Sequence, residues 1–175
     1  QARAMHFMAT RAYAKASDDL MAAYAAFSAT EAPPAGEAAV AASGLLRWVA
    51  LFHHVRYDLE GALAVYEAAA DCAKHSPEAL ARVEVMRSGV FVDKGSLPEA
   101  EAAIERAAAL TPDSVDVLMH RSQLHLLAPD GVDRSEADLR ACLAKRPDHV
   151  VALLRLAMML ISQAQQVNPR PRSPR

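Results

Sequence analysis

The sequence has little of the chemistry that most enzymes use. Its six glycines form neither a GxGxxG nor a GxxxxGK[ST] pattern, so no loop that cradles nucleotide phosphates is indicated. Cys72 and Cys142 are far apart and neither belongs to a CxxC motif, which argues against a disulfide framework or zinc site and favours a reducing compartment. No base, nucleophile and oxyanion donor converge in the pattern. We therefore predict no enzyme, no cofactor and no metal site.

The chain also lacks a strong charge of either sign and a long apolar run. Its net charge of -2 and its pI near 6.4 give no general attraction for nucleic acid, which requires a clustered positive field. The longest apolar run, 153–161, contains Arg155 and is far shorter than the roughly 18 residues of a membrane span. We predict no membrane span in these residues. Because the chain begins at Gln1, we expect a fragment, before which an anchor could lie.

Alanine dominates instead, and apolar residues recur at intervals of three and four, which favours helix over strand. All ten prolines fall in proposed connections or first helical turns. "SLPE" at 96–99 and "DRSE" at 133–136 place a capping oxygen three residues before a glutamate. The valine-rich segment 83–92 would also suit a strand, but no partner strand is evident. The nine predicted helices cover residues 3–16, 18–30, 37–56, 58–75, 78–93, 97–110, 114–128, 133–146 and 149–166.

A repeated spacing groups these helices into pairs. The second helix of a pair carries a small residue, another small residue seven positions later and a proline five positions after that, as in Ala100, Ala107 and Pro112. The small residues let one helix lie close on its partner, and the proline ends the second helix. The same spacing occurs at Ala22, Ala29 and Pro34 and at Ser135, Cys142 and Pro147, and in part at Ala62 and Ala69.

A period of about 34 residues built from helix pairs is typical of tetratricopeptide (TPR) repeats. We therefore predict an all-α fold, a TPR-type α-α superhelix of about four helix pairs plus one extra helix, in which the first helices line a concave groove. The predicted solenoid spans 1–166 and is followed by a disordered basic tail, 167–175. Its units cover about 3–36, 37–77, 78–112 and 113–147, with a partial unit at 148–166.

An arginine followed by a serine occurs at Arg87 and Ser88 and again, 34 residues later, at Arg121 and Ser122. The serines occupy a small-residue position of the first helix, where a larger side chain should clash with the neighbouring helix. We predict that Arg121 reaches between repeats to a carboxylate or to a helix C-terminus.

The phase of the repeats assigns apolar and basic residues to the groove. Methionine is flexible and polarizable, so a methionine-rich lining could adapt to varied amphipathic segments. Methionine at helical spacing is also typical of a core, and Trp48 would serve either as a core residue or as a binding anchor. The predicted lining comprises Arg47, Trp48, Leu51, Arg82, Met86, Met119, His120, Gln123, Leu126, Arg155 and Met158.

Two consecutive segments resemble a known family. "DVLMHRSQLHLL" and "EADLRACLAKRPDHVVALLRLAMML" are similar to repeats of the large TPR receptor of the mitochondrial outer-membrane protein translocase. There, a His-Arg-Gly-Gln-like first helix precedes an acidic second helix that ends in Arg-Pro or Asp-Pro, whereas Ser122 stands here in place of the glycine. The likeness is best over about 80–165. It implies a receptor on the cytosolic face of that membrane, with preproteins and other translocase subunits as partners.

The same family also grips the C-terminal Glu-Glu-Val-Asp tail of cytosolic chaperones, using Lys, Asn and Arg side chains of an amino-terminal set of repeats. The only asparagine here is Asn168, so we do not expect chaperone-tail binding through this segment. Two alternatives to the receptor remain. The chain could be a generic cytoplasmic TPR scaffold or cochaperone that binds an acidic peptide, or a helical accessory domain of a larger enzyme.

Overall fold

The computed structural model describes the continuous stretch 35–167 and, before it, Lys15, Asp18, Asp19, residues 21–23 and 25–27, and Ala29. Seven helices lie in the continuous stretch, and each agrees with a predicted helix to within three residues at either end. The valine-rich segment 83–92 is helical, as predicted. The predicted helices 3–16 and 18–30 and the predicted tail lie largely outside the described residues. The seven are α1 (Glu37–Val55), α2 (Leu59–Ala73), α3 (Pro77–Asp93), α4 (Leu97–Leu110), α5 (Val115–His125), α6 (Val132–Lys145) and α7 (Val150–Val167).

The chain divides into two compact units, Gln1–Leu110 and Thr111–Arg175. In the first unit, α1 packs on α2, α2 on α3, and α3 on α4. In the second unit, α5 packs on α6, and α6 packs on α7. Consecutive helices are therefore neighbours in each unit, as short connections dictate. The prediction of one solenoid over 1–166 stays a prediction.

Side-chain caps explain where several helices begin. The side chains of Asp58, Ser76 and Ser114 accept hydrogen bonds from the backbone N–H groups at the starts of α2, α3 and α5. The helix start predicted at 133 agrees with α6 to within one residue, but the capping box of "DRSE" is not formed, because the N-cap position is Gly131, which supplies no side-chain cap. Gly131 is required there for another reason. A Cβ atom at this position would overlap the backbone carbonyl of His125.

The turn after α1 is tied to the end of α3. Tyr57 has a left-handed backbone (φ 63°), which is uncommon for a residue with a side chain. Its N–H donates to the carbonyl of His54 (2.8 Å), and its hydroxyl donates to the carbonyl of Asp93 (3.3 Å). His54 Nε2 also lies 2.7 Å from Asp93 Oδ2. These contacts hold the turn after α1 against the C-terminal end of α3.

The small residues of the predicted spacing are buried where the helices pack on one another. Ala62 and Ala69 of α2 and Ala100 and Ala107 of α4 are all 0% exposed. Ser135 and Cys142 of α6 are also fully buried. Large side chains fill the space around these contacts. The first-unit core includes Leu46, Val49, Tyr66, Val83 and Val90, and the second-unit core includes Leu118, Met119, Leu139, Cys142 and Ala152.

Among the described helices, α1 alone is long and apolar enough, by length and composition, to cross a membrane. This finding differs from the sequence-based prediction of no span. Leu46, Val49 and Ala50 of α1 are nevertheless completely buried in the first-unit core. A helix that buries one face in this way passes the same test as a membrane helix.

The repeated arginines bind carboxylates inside their own helix pairs. Arg121 of α5 binds Asp138 of α6, with Nη2 2.7 Å from Oδ1 and Nε 3.1 Å from Oδ2. The predicted carboxylate partner is confirmed, but the predicted reach between repeats is wrong, because Asp138 lies on the second helix of the same pair. Arg87 lies 3.0 Å from Glu84, and Arg106 of α4 lies 2.8 Å from the same carboxylate.

The repeated serines are satisfied within their own helices. The Ser88 hydroxyl donates to the Val85 carbonyl (2.7 Å), and the Ser122 hydroxyl donates to the Met119 carbonyl (2.9 Å). Both serines are buried. A buried hydroxyl without such a bond would be costly. Serine can therefore occupy a position where alanine would otherwise be expected.

We predict that Arg121→Met destabilises the protein by about 3 kcal/mol, because it leaves the buried carboxylate of Asp138 without its arginine. The matched control is Arg140→Met, which removes an arginine from an exposed pair with Glu136 and should cost less than about 1 kcal/mol. Urea unfolding followed by circular dichroism measures both. Equal losses would show that the Arg121 pair contributes no more than a surface pair.

We also predict that Ser122→Leu costs roughly 1–3 kcal/mol, because the site is 1% exposed and has no room for a larger side chain. Ala137→Leu places the same residue at an exposed position of α6 and should change the free energy of unfolding little. The same urea experiment checks this pair. A Ser122→Leu protein as stable as the Ala137→Leu protein would contradict the packing role.

Candidate functional site

A cavity of about 590 Å³ lies between α5, α6 and α7 in the second unit. We call it the second-unit cavity. Leu139 of α6 is buried in its wall, whereas Leu126, which directly follows α5, and Met158 of α7 are 49% and 62% exposed. The cavity is therefore open to solvent along one side. Its lining consists of Ser122, Gln123, Leu126, Leu127, Val132, Ser135, Leu139, Arg155, Met158, Met159, Ser162 and Gln163.

Helical spacing brings the lining residues of each element to one face. On α7, Arg155, Met158, Met159 and Ser162 are separated by three, one and three residues, so they form a stripe along the helix. The start of α6 supplies Val132, Ser135 and Leu139 at the same kind of spacing. Apolar side chains dominate the walls. This composition suits apolar side chains of a ligand.

Polar groups also line the second-unit cavity. The Gln123 side-chain oxygen accepts hydrogen bonds from the Arg155 guanidinium, which ties α5 to α7. The Ser135 hydroxyl is fully buried and has no hydrogen-bond partner among the described residues. An apolar cavity with a few convergent polar groups is the usual form of a binding site.

The apolar surface continues beyond the cavity along α7. Val150, Leu154 and Ile161 are 73%, 59% and 57% exposed. These residues are separated by four and seven positions, so they lie on one face of the helix. An apolar face of this extent is typical of an interaction surface. Arg155 is the only charged residue of α7.

His120 and Met119 are adjacent on α5 but have different surroundings. The imidazole of His120 is partly exposed, and its pKa is lowered mainly by desolvation and also by the nearby Arg155, while Asp116 opposes the shift. Met119 is only 8% exposed and packs against Leu139 in the second-unit core. The prediction that Met119 lines a groove is therefore wrong. Its side chain belongs to the core because α5 turns that face toward α6.

The predicted lining residues of the first unit also differ from one another in their exposure to solvent. Trp48 is 59% exposed and Arg82 is exposed, whereas Leu51 is half-buried. Met86 is half-buried and packs against the first-unit core, and its assignment to the groove stays a prediction. Arg47 is half-buried, and its Nε atom has no hydrogen-bond partner among the described residues. The groove assignment of the exposed residues stays a prediction.

Sequence reasoning found four residues of the second-unit cavity, Gln123, Leu126, Arg155 and Met158, and missed the others. The groove prediction used only the first helices of the pairs, whereas α6 is a second helix and supplies one wall. Leu139 follows the small residue Ser135 by four positions, which was the available signal for this wall.

Within the stretches that the structure describes, no group of three or more His, Cys, Asp and Glu side chains is placed to hold a metal ion. Cys142 is buried and Cys72 is half-buried, and neither forms a disulfide. Burial raises the pKa of both thiols. Both thiols are therefore weak nucleophiles at neutral pH.

No protein-family model and no curated protein matches the sequence. Solved structures do match the fold. BtubC from P. vanneervenii aligns with a TM-score of 0.69 and 14% identity over 93% of this chain and 78% of that chain. The first TPR of Spaghetti (RPAP3), bound to the HSP90 peptide SRMEEVD, aligns with a TM-score of 0.58 and 15% identity over 71% of this chain and 95% of that chain.

The Arabidopsis OM64 TPR domain aligns with a TM-score of 0.54 and 18% identity over 69% of this chain and 98% of that chain. At these identities the likeness concerns the fold. The predicted fold class, an all-α protein of the TPR-type α-α superhelix, is confirmed by these neighbours and by the packing of adjacent helices. This chain has the fold of TPR domains.

We predict that His120 titrates below its ordinary pKa of 6.5. Arg155→Gln should raise the pKa of His120, because it removes a nearby positive charge, and Asp116→Asn should lower it further. Because the folded-state pKa is depressed, this histidine favours unfolding as the pH falls below 6.5. NMR titration of the imidazole resonances checks the three values. Shifts in the opposite directions would contradict the proximity of Arg155 and Asp116.

Proposed function

We propose that the chain is a non-enzymatic, protein-binding TPR module whose second-unit cavity holds a segment of a client polypeptide. The observation that carries the proposal is a solvent-open, mostly apolar cavity of about 590 Å³ with Arg155 and Gln123 among its lining residues. The fold supports it, since one TPR domain of the same fold was solved with a bound peptide. A cavity of this size accommodates a few side chains of a polypeptide.

The occupant that fits best is an amphipathic helical segment. Its apolar side chains would contact Leu126, Met158 and Met159, and the flexible methionines would adjust to different sequences. Arg155, which already donates hydrogen bonds to Gln123, would attract a carboxylate at the edge of the segment through the positive charge of its guanidinium. The exposed face of α7 would extend the contact along the segment.

A finer proposal concerns the cellular role. The resemblance to the large import receptor covers about 80–165, which includes every residue that lines the second-unit cavity. On this ground we propose preproteins as the clients and the cytosolic face of the mitochondrial outer membrane as the location. The alternative is a cytoplasmic scaffold or cochaperone that uses the same cavity for a different partner.

The test is a titration of fluorescently labelled presequence and carrier-protein peptides, followed by anisotropy. Met158→Glu should weaken binding about tenfold or more, because it places a charge in the apolar lining. Ala144→Glu is the matched control, since Ala144 is exposed on α6 and does not line the cavity. Its affinity should equal that of the unmodified protein.

Equal affinities for the Met158→Glu and Ala144→Glu proteins would remove the second-unit cavity from the proposal. Scrambled peptides of the same composition separate the receptor from the scaffold. If the chain is an import receptor, it should bind the native presequence or carrier peptides more tightly than their scrambled forms. Absence of that preference, with binding retained, would leave a general polypeptide-binding module.

A further inference from the structure

Helix α7 carries apolar residues on two opposite sides. Ala152, Leu156 and Met159 pack in the second-unit core, and their spacing of four and three residues places them on one side of the helix. A second series repeats this spacing on the other side, and none of its members lines the second-unit cavity. We call this series the outer stripe, and it consists of Val150, Leu154, Ala157, Ile161 and Ala164.

The outer stripe is exposed to solvent along its whole length. Val150, Leu154 and Ile161 are each more than half exposed, and both alanines are exposed as well. An apolar helix face of this length is normally covered by a partner. The eight residues after α7 do not supply apolar cover, because they consist of three prolines, three arginines, one serine and one asparagine.

The spacing of the outer stripe fits a helix as the partner. Apolar residues at alternating steps of four and three form the seam along which two helices pack side by side. Small residues let such helices approach closely. Ala157 and Ala164 are seven positions apart, the same separation as Ala100 and Ala107 of α4, which are fully buried. Helix α7 thus presents to solvent the kind of surface that the other helices bury.

A second copy of the same helix fits this stripe when the two helices run antiparallel. Leu154 of each copy then lies opposite Ala164 of the other copy. In the same register, Ile161 lies opposite Ala157. Every layer pairs a large side chain with a small one, so the helices keep a constant separation along the contact. A parallel pair would place alanine against alanine, which leaves gaps between the larger layers.

Charge and area also favour a second copy. Arg155 is the only charged residue of α7 and lines the second-unit cavity, so two outer stripes do not repel each other. Seven large apolar side chains of α7 are between 40% and 73% exposed, which leaves on the order of 600 Å² of apolar surface in water. A stable interface buries roughly 800 Å² per partner, and about 65% of it is apolar in homodimers. The exposed surface is therefore large enough for a dimer.

We propose that the chain forms a homodimer in which the outer stripes of two α7 helices pack antiparallel. The contact is isologous, since the same residues serve both copies. The dimer goes beyond the proposed polypeptide binding, because the outer stripe and the second-unit cavity consist of different residues. A client segment that extended from the cavity onto the outer stripe would have to displace the second copy.

Sedimentation equilibrium of the full chain over a dilution series tests the dimer. The unmodified protein should approach twice the chain mass of 18.8 kDa at the highest concentration. Ile161→Glu should raise the dissociation constant about tenfold or more, because it places two carboxylates in the apolar contact. Ala144→Glu is the matched control, since it adds the same charge at an exposed position of α6 and should leave the dissociation constant unchanged.

Ala157→Leu separates a fitted contact from general apolar adhesion. In the antiparallel dimer the added leucine meets Ile161 of the second copy, so the dissociation constant should rise roughly tenfold. Ala137→Leu adds the same side chain at an exposed position of α6 and should leave the dissociation constant unchanged. Stronger association of the Ala157→Leu protein would show adhesion without the large-to-small fit and would overturn the proposal.

Disulfide cross-linking in a Cys72→Ser background tests the orientation of the helices. Leu154→Cys and Ala164→Cys proteins are mixed and oxidised. The mixed disulfide should form in preference to either same-variant disulfide, because the two positions are opposite one another only in the antiparallel pair. A preference for the same-variant disulfides would show parallel helices and would contradict the proposed contact.

An unmodified protein that stays at 18.8 kDa throughout the dilution series would also overturn the dimer. Loss of client-peptide binding in the Ile161→Glu variant of such a monomer would assign the outer stripe to the client instead. Circular dichroism of the α6 and α7 variants should match that of the unmodified protein, because the substituted positions are exposed. The mass measurement uses no peptide, so a failure of the dimer and a failure of the proposed function are distinguished.

Discussion

Close contact between neighbouring helices depends on small side chains at fixed positions. Alanine, serine and cysteine fill these positions in α2, α4 and α6, and all of them are fully buried. Their size sets how near the helix axes can come, and the larger side chains around them then fill the remaining space. Without this contact, neither the core around Tyr66 nor the wall formed by Leu139 would keep its position. The second-unit cavity is a consequence of the same packing.

Buried ion pairs fix the helices of a pair in addition to this packing. Glu84 and Asp138 each receive arginine donors from within their own pairs. A buried carboxylate is expensive to desolvate, so it is stable only while its partner stays in place. This requirement specifies one alignment of the two helices more strictly than apolar contact alone.

Much of the fold was predictable because the sequence repeats its local signals. Helical periodicity, proline positions and the small-residue spacing located all seven described helices. The "DRSE" cap is not formed, because α6 begins at Val132, directly after Gly131, which must be glycine to avoid the His125 carbonyl. That constraint depends on contacts that are remote from the capping motif. A sequence pattern alone does not contain it.

The site was less predictable than the fold for a similar reason. Periodicity gives the face of a residue but not its depth, so Met119 and Met158 were equivalent in the sequence although one is in the core and the other is exposed. The direction of the Arg121 side chain depends on Asp138, which is 17 residues away. The wall from α6 also required knowledge of how three helices meet. Partners that are distant in the chain therefore limited the prediction.

At Tyr57, an unfavourable backbone conformation is combined with a favourable hydrogen bond to a distant helix. A residue with a side chain costs roughly 1–2 kcal/mol in this conformation, a cost that glycine would avoid. Only tyrosine, however, provides the hydroxyl that reaches the carbonyl of Asp93 at the end of α3. A glycine at position 57 would remove the backbone strain and also the hydrogen bond to the Asp93 carbonyl. This turn is therefore a first position to engineer for higher thermal stability, and the change in stability would show which of the two contributions is larger.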